Sequence, residues 1–479
     1  MSFKRTFYKN ITNVAAYTYL SQGIEFLSTI VLSRLLLPEE YGIVAIINLF
    51  GGFIQLFANA GIGQSLIRSD YGPTFHRHLF NLSVWLGMLL SIMLASLAFP
   101  IAAFFDDPRL LLPTIVMSAR FLTDSFNYIP SAYLAKKLKF KAREVARLIA
   151  TSFAIVLMII LAFAGFSYWA LVIPMTVSPL IQYRVLYNKT GIKIKIYGIK
   201  AAWFTLKKIK GLMGNLTIIN TIRYGGQNID KLIIGKLYTV GDLGIYNRAF
   251  RFSKLSNKLV VRLFGSILFP SLKKLQEGGG DINSEYKDTL GILSLILFPI
   301  SAVLIAIPGP LVSLLWGQNW IGVAYFMPFI GIIIIFQSLM GTISGVFLVY
   351  RKERNMTYVT LFTSLVYAAS IIVGSFYSIQ MIIILVTSTK VLVSAPIFIY
   401  FGFYKAFKFP IKTLVWFWLP KIVISSLLIY GIIMEEQVWI FFLLGLLLLH
   451  IILDQRHTIF SVSKFLRKYL RAKLSLLYN

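Results

Sequence analysis

The chain has 479 residues, with 47 Lys and Arg against 18 Asp and Glu, giving a formal charge of +29 at pH 7. It is 57% hydrophobic but only 14% charged, where soluble globular chains run about 45–50% apolar and about 25% charged. This excludes a soluble enzyme and a disordered tail, and a nucleic-acid binder would not need so many long apolar runs. A multi-span membrane protein accounts for both numbers, because cytoplasmic loops collect Lys and Arg. Cysteine is absent, which removes disulfides, thiolate metal sites and thiol chemistry.

A membrane helix needs roughly 20 mostly apolar residues. Fourteen windows qualify, at 11–33, 43–63, 80–104, 111–135, 147–165, 167–187, 212–236, 243–269, 289–307, 321–350, 356–375, 379–401, 413–433 and 437–453. Lys4, Arg5 and Lys9 precede the first window without the pattern of a cleavable leader. That window carries Gln22 and Glu25, and the second carries Asn48 and Gln55. His76 and His78 follow as a solvated loop pair rather than a metal site. The fourth window holds Arg120 and Asp124 at i, i+4, the spacing of a helical ion pair, together with Asn127. Glu25, Arg120, Asp124 and, further on, Asp230 are candidates for ion coupling or gating.

The loops support the count. With the N-terminus inside, thirty-four bases fall on the inner side and two, Arg34 and Arg109, on the outer side. That asymmetry places both termini in the cytoplasm. No loop is long enough for a catalytic domain, and no GxxxxGK[ST] phosphate loop is present. No cofactor, metal or nucleic-acid partner is expected.

The remaining bases lie in or at the edge of spans, including Lys390 and Lys421. A charge at a helix centre costs about 2.5–3.5 kcal/mol on insertion scales, so it faces a wet cavity or a partner. Window seven carries Arg223, Asn228, Asp230 and Lys231; window eight carries Arg248, Arg251, Lys254, Lys258 and Arg262 within one arc of its helix. The acids are too few to pair them all. Arg in particular holds phosphate bidentately, so Arg223, Lys231, Arg248, Arg251, Lys254 and Lys258 are the candidate anion-binding residues. Pro174, Pro179, Pro299 and Pro308 are candidate kinks or hinges.

A short internal repeat sets the architecture. Arg34-Leu-Leu-Leu-Pro-Glu-Glu-Tyr-Gly42 matches Lys236-Leu-Tyr-Thr-Val-Gly-Asp-Leu-Gly244 at its base, first Leu, acid and final Gly. The copies lie six spans apart, so both halves insert in the same orientation, as parallel repeats do. The expected fold is an all-α polytopic membrane protein of about 14 transmembrane helices. It has two pseudo-symmetric six-helix lobes, 1–200 and 201–408, and a terminal helix pair with a cytoplasmic tail, 409–479.

Three segments then carry a resemblance: Leu32–Gly42 with Asn59-Ala-Gly-Ile-Gly-Gln64; Asn228-Ile-Asp-Lys-Leu-Ile-Ile-Gly-Lys236; and Gly241–Phe250 with Leu268-Phe-Pro-Ser271. They resemble the polysaccharide-transport branch of the multidrug/oligosaccharidyl-lipid/polysaccharide flippase superfamily, of the Wzx-like O-antigen and colanic-acid flippases and teichuronic-acid exporters. The resemblance implies a MATE-like fold in the bacterial cytoplasmic membrane. It also implies alternating access and an undecaprenyl-diphosphate-linked oligosaccharide as cargo. Membrane lipid and the polysaccharide polymerase machinery are the implied partners. By analogy Arg223, Lys231, Arg248, Arg251 and Lys254 would hold the diphosphate, and Tyr224 and Tyr246 would contact sugars. The competing reading is an ion-coupled drug or cation antiporter of the same superfamily, which would call for acids where these spans have bases. A glycosyltransferase or polymerase would need a large outer loop that the sequence does not provide.

Overall fold

In the computed structural model, residues 3–58, 62–68, 73–192, 197–256, 272, 277–278, 282–343, 347, 350 and 352–454 are described. Among them the secondary structure is helical throughout, with no strand. In chain order the helices are α1 (Phe3–Leu35), α2 (Pro38–Ala58), α3 (Ile62–Arg68), α4 (Pro73–Phe105), α5 (Leu111–Lys136), α6 (Phe140–Phe163), α7 (Trp169–Thr190), α8 (Ile199–Leu237) and α9 (Val240–Ser256). They continue with α10 (Ile282–Ala306), α11 (Pro308–Trp316), α12 (Val323–Gly341), α13 (Glu353–Ser375), α14 (Ile379–Ala406), α15 (Ile411–Ile433) and α16 (Gln437–Asp454).

Each of the fourteen expected windows overlaps one of these helices, window eight only as far as Ser256 among the described residues. Among the described residues ten helices are long and apolar enough to cross a membrane. The four windows outside that set are α1, α5, α8 and α9. These are the helices that carry Glu25, Arg120, Asp124, Arg223, Asp230, Lys231, Arg248, Arg251 and Lys254. In α5 and α8 the charged candidate residues lower the apolarity, and the described part of α9 is only 17 residues long. α8 is longer than its window, reaching back to Ile199. Its first turns expose Ile199, Trp203 and Phe204, with the Lys207 and Lys208 ammoniums over the Trp203 and Phe204 rings at 5.7 and 4.8 Å. Amphipathic rings beside lysines are what a membrane–water boundary favours.

Pro308 opens the short helix α11, a position where its missing N–H costs nothing, and so lies at the break that follows α10. One sequence expectation is corrected. His76 and His78 belong to the first turns of α4, each against a different ring, Tyr133 and Tyr197. By contrast Pro174 and Pro179 lie inside α7, and Pro299 lies inside α10.

The internal repeat is visible as matching helix ends. α1 stops at Leu35 and α2 starts at Pro38; 202 residues on, α8 stops at Leu237 and α9 starts at Val240. Both starts are capped alike. The Leu37 N–H donates to the Glu40 carboxylate at 2.7 Å. The Thr239 N–H donates to the Asp242 carboxylate at 3.2 Å, and the Asp242 N–H donates back to the Thr239 hydroxyl at 3.1 Å. The second is a complete capping box, the first its carboxylate half. The two turns also cross through glycine. A Cβ on Gly42 would overlap the Val240 carbonyl oxygen, and a Cβ on Gly244 would overlap the Pro38 carbonyl oxygen. The contact is reciprocal, each glycine meeting the N1 residue of the other copy, so it obeys the repeat's own pseudo-symmetry.

The chain divides into two compact units, Met1–Ile245 with Leu315–Trp320, and Tyr246–Leu314 with Ile321–Asn479. In the first, α4, α5 and α7 pack in sequence and α2 lies on α8. Trp320 joins this unit through its indole N–H, which donates to the Ser33 carbonyl at 2.8 Å. In the second, α10 packs on α12, and α15 pairs with α16. α14 carries two π-helical stretches, Lys390–Ser394 and Ile399–Ala406.

Ion pairs link the turns of the first unit. The Arg109 guanidinium holds Asp107 at 2.9 Å and Glu39 at 3.1 Å, and the two carboxylates push its pKa above the ordinary arginine range. Lys236 meets Asp106 at 2.8 Å. Asp107 is buried and also accepts from the Arg109 N–H, capping a short 3-10 turn. The Lys236 pair is open to solvent. Asp107→Ala should therefore lower stability by about 1–2 kcal/mol, and Lys236→Ala by less than about 1 kcal/mol. Thermal unfolding in detergent orders the two.

Candidate functional site

One face of α5 organises the first unit's interior. Arg120, Asp124, Tyr128 and Ser131 follow one another at helical spacing, so their side chains share a face. The Arg120 Nε lies 3.3 Å from the Asp124 carboxylate, the i, i+4 pair expected from the sequence. Opposite them α2 presents Asn48 and Gln55. The Gln55 amide donates to the Tyr128 hydroxyl at 2.7 Å. Asn48, Gly51, Gly52, Gln55, Arg120 and Asp124 line a cavity of about 380 Å³. A second cavity of about 390 Å³ is lined by Gln64, Asp124, Asn127, Tyr128, Ser131 and Gln182. Asp124 lines both. Asn127 is fixed by donating to the Pro179 carbonyl at 2.9 Å.

Tyr224 of α8 packs on α2. Its hydroxyl donates to the Leu49 carbonyl at 2.8 Å, and its ring occupies the space a Cβ on Gly52 would need. Tyr224 is thus bound to α2 beside the cavity that Gly52 lines. Tyr246 is different. It is fully buried, with its ring 4.3 Å from Phe250 and 6.0 Å from Phe326. It is a core residue of the second unit and is closed to a sugar.

The expected cation set is distributed as follows. Lys231, in the first unit, donates to Asn228 at 2.9 Å. Asp230 beside it is buried. Arg248, in the second unit, is 3% exposed, whereas Arg251 and Lys254 on the same helix are exposed. The ladder expected on α9 therefore spans one enclosed and two open positions. Arg223 lies on α8, but its side chain is outside the described residues, as is Lys258 altogether. Glu25 is half-buried on α1, one turn before Ser28 and Thr29, whose hydroxyls are spent on their own helix.

Sequence reasoning brought Asn48, Gln55, Arg120, Asp124 and Asn127 forward separately. The structure gathers them. It adds Gln64, Tyr128, Ser131 and Gln182, which the sequence reading missed. Tyr128 was detectable as the next i+4 step after Arg120 and Asp124; Gln182, on α7, carries no such local signal. Among the described residues no cluster of three His, Cys, Asp or Glu is placed to hold a metal.

This geometry has recognisable counterparts. Residues 31–325 match the family model described as polysaccharide biosynthesis protein. The chain is 22% identical over 368 residues to the succinoglycan biosynthesis transport protein ExoT of Rhizobium meliloti, covering 76% of this chain and 73% of that protein. It is 20% identical to the lipopolysaccharide biosynthesis protein WzxC of Escherichia coli, covering 75% and 73%. In fold it is similar to the lipid II flippase MurJ in an inward closed conformation, with TM-score 0.68 and 14% identity over 94% of this chain and 99% of that one. It is also similar to an inward-facing multidrug resistance MATE family transporter, with TM-score 0.62 and 14% identity over 80% and 94%. The chain is a multi-pass membrane protein, helical among its described residues, with the fold shared by MurJ and MATE transporters, and it belongs to the polysaccharide biosynthesis protein family.

Proposed function

We propose that the protein moves a polyprenyl-diphosphate-linked oligosaccharide across the bacterial cytoplasmic membrane, acting as a transporter and not as an enzyme. The observation that carries this reading is the run of bases in windows seven and eight of the sequence, Arg223, Lys231, Arg248, Arg251, Lys254 and Lys258, in a chain of this family. Bases placed in membrane helices need an anion, and a diphosphate supplies two or more negative charges on one small headgroup. The lobes 1–200 and 201–408 are the parts that move in alternating access. The terminal pair 409–479 accompanies them, and both termini lie in the cytoplasm. Asp124, with Arg120 and the two cavities it lines, is the first unit's gating or coupling group; Glu25 and Asp230 are the further candidates.

Reconstitution tests the reading. Full-length protein in liposomes is given a labelled polyprenyl-diphosphate oligosaccharide in one leaflet, and its appearance in the other is timed. Redistribution with every glycosidic linkage intact is the expected result. A lipid that stays in its leaflet while its linkages change refutes transport in favour of catalysis.

A further inference from the structure

The terminal helix pair holds a second charged cluster that the transport reading does not use. Lys421 sits midway along α15 and is 1% exposed. Its Nζ donates to the Phe417 carbonyl at 2.7 Å, lies 3.6 Å from the centre of the Phe417 ring, and is 3.4 Å from the His450 Nε2 on α16. Among the described residues no carboxylate forms an ion pair with it. His450 is buried against the edge of Trp416. One helical turn further, on the same face of α16, comes Asp454. Its side chain is 1% exposed and lies 3.8 Å from the Lys287 Nζ of α10, which is 35% exposed. Asp454 is within electrostatic reach of both Lys421 and His450. The result is a row of exchangeable groups running from the half-open Lys287 of α10, beside the end of α16, to the enclosed Lys421 in the middle of α15.

The other charged groups on the packed helices turn elsewhere. Glu285 and Asp288 of α10 and Lys412 of α15 are exposed. Lys390 of α14 points to Gln337 at 3.5 Å and to the Tyr367 ring. Lys405 lies over Tyr400 and Phe401. α12 brings no charged residue.

Two nitrogens 3.4 Å apart hold one proton between them: when Nζ is an ammonium the imidazole Nε2 must accept, and when Nε2 carries hydrogen the amine accepts. We propose that Lys421, His450 and Asp454 form a proton-exchange site in the terminal helix pair, with Lys287 at its open end. A proton leaving the Lys421 ammonium is taken by His450 Nε2. The imidazolium passes its proton on toward the Asp454 carboxylate, one turn along α16, which releases it to water beside Lys287. The reverse sequence reloads the amine. The site takes a proton as its only ligand and stands on its own geometry, independent of the oligosaccharide.

Its test needs no transport. Full-length protein labelled with 15N-histidine is placed in lipid nanodiscs and titrated from about pH 5 to pH 8, the range in which imidazoles change charge. The chain has four histidines. The His450 signal is identified by its loss in His450→Gln or, if that variant does not fold, by elimination with His76→Gln, His78→Gln and His457→Gln. The expected result is an exchanging His450 whose midpoint moves by roughly 1 pH unit or more in Lys421→Met. Asp454→Asn should move it the opposite way, since one change removes a positive and the other a negative charge; either variant alone suffices. An imidazole that keeps one form throughout, or a midpoint identical in wild type and variant, overturns the proposal.

Discussion

Replacing Gly244 by Val is expected to destabilise the protein by about 3 kcal/mol, and Gly42→Val by a similar amount. Each new Cβ would occupy the position of a carbonyl oxygen, Pro38 in one case and Val240 in the other. Backbone cannot rotate aside as a side chain can, so the helices must part. Parting them also pulls on the Glu40 and Asp242 caps, which hold the first turns of α2 and α9. Because both substitutions open the same crossing, the double variant should cost less than the two single costs combined. Gly23 and Gly225 are controls. They lie inside helices with open space where a Cβ would go, so Ala at either should be neutral or stabilising by up to about 1 kcal/mol. Midpoints of thermal unfolding in one detergent decide the comparison. A Gly244→Val protein as stable as Gly23→Ala would mean that the turns do not cross as described.

The second large effect is on activity. Arg251 is exposed on α9, so Arg251→Ala should leave unfolding within about 0.5 kcal/mol of wild type. A hydrogen bond to a charged group contributes about 1.5–3 kcal/mol, so losing one to a diphosphate should slow flipping roughly tenfold or more. Arg248 is enclosed, and Arg248→Ala should lose both activity and stability, with Arg248→Lys recovering stability better than rate. The contrast separates a ligand contact from a structural one on the same helix. Wild-type flipping in the Arg248→Ala, Arg251→Ala double variant would remove α9 from the anion site.

The sequence made the helices legible because their apolar lengths are set by the bilayer. It also made the repeat legible: nine residues with a base, a Leu, an acid and a Gly at fixed offsets turned out to mark equivalent helix ends at Leu35 and Leu237. The reason for the Gly was not legible. Gly42 and Gly244 are small because each meets the backbone of the other copy, Val240 and Pro38, about two hundred residues away in the chain, and no local pattern encodes that approach. The candidate cavity was half legible. Arg120 and Asp124 announced themselves by i, i+4 spacing, whereas Gln64 and Gln182 become cavity-lining residues only once α3, α5 and α7 are packed. Tyr246, by contrast, read as an available ring and is a core residue, because an aromatic on a polar helix can face either way. Lys421, met along the chain as a lone base, meets His450 only when α15 and α16 fold back on one another.

The account's central claim is that the basic residues of α8 and α9 serve an anionic lipid headgroup. The most direct measurement compares initial flipping rates of one oligosaccharide carried on a polyprenyl diphosphate and on the same polyprenyl chain without phosphate, in the same proteoliposomes. Preference for the diphosphate by roughly tenfold or more, falling toward unity in Arg251→Ala, is the predicted result. Equal rates for the two lipids would contradict it.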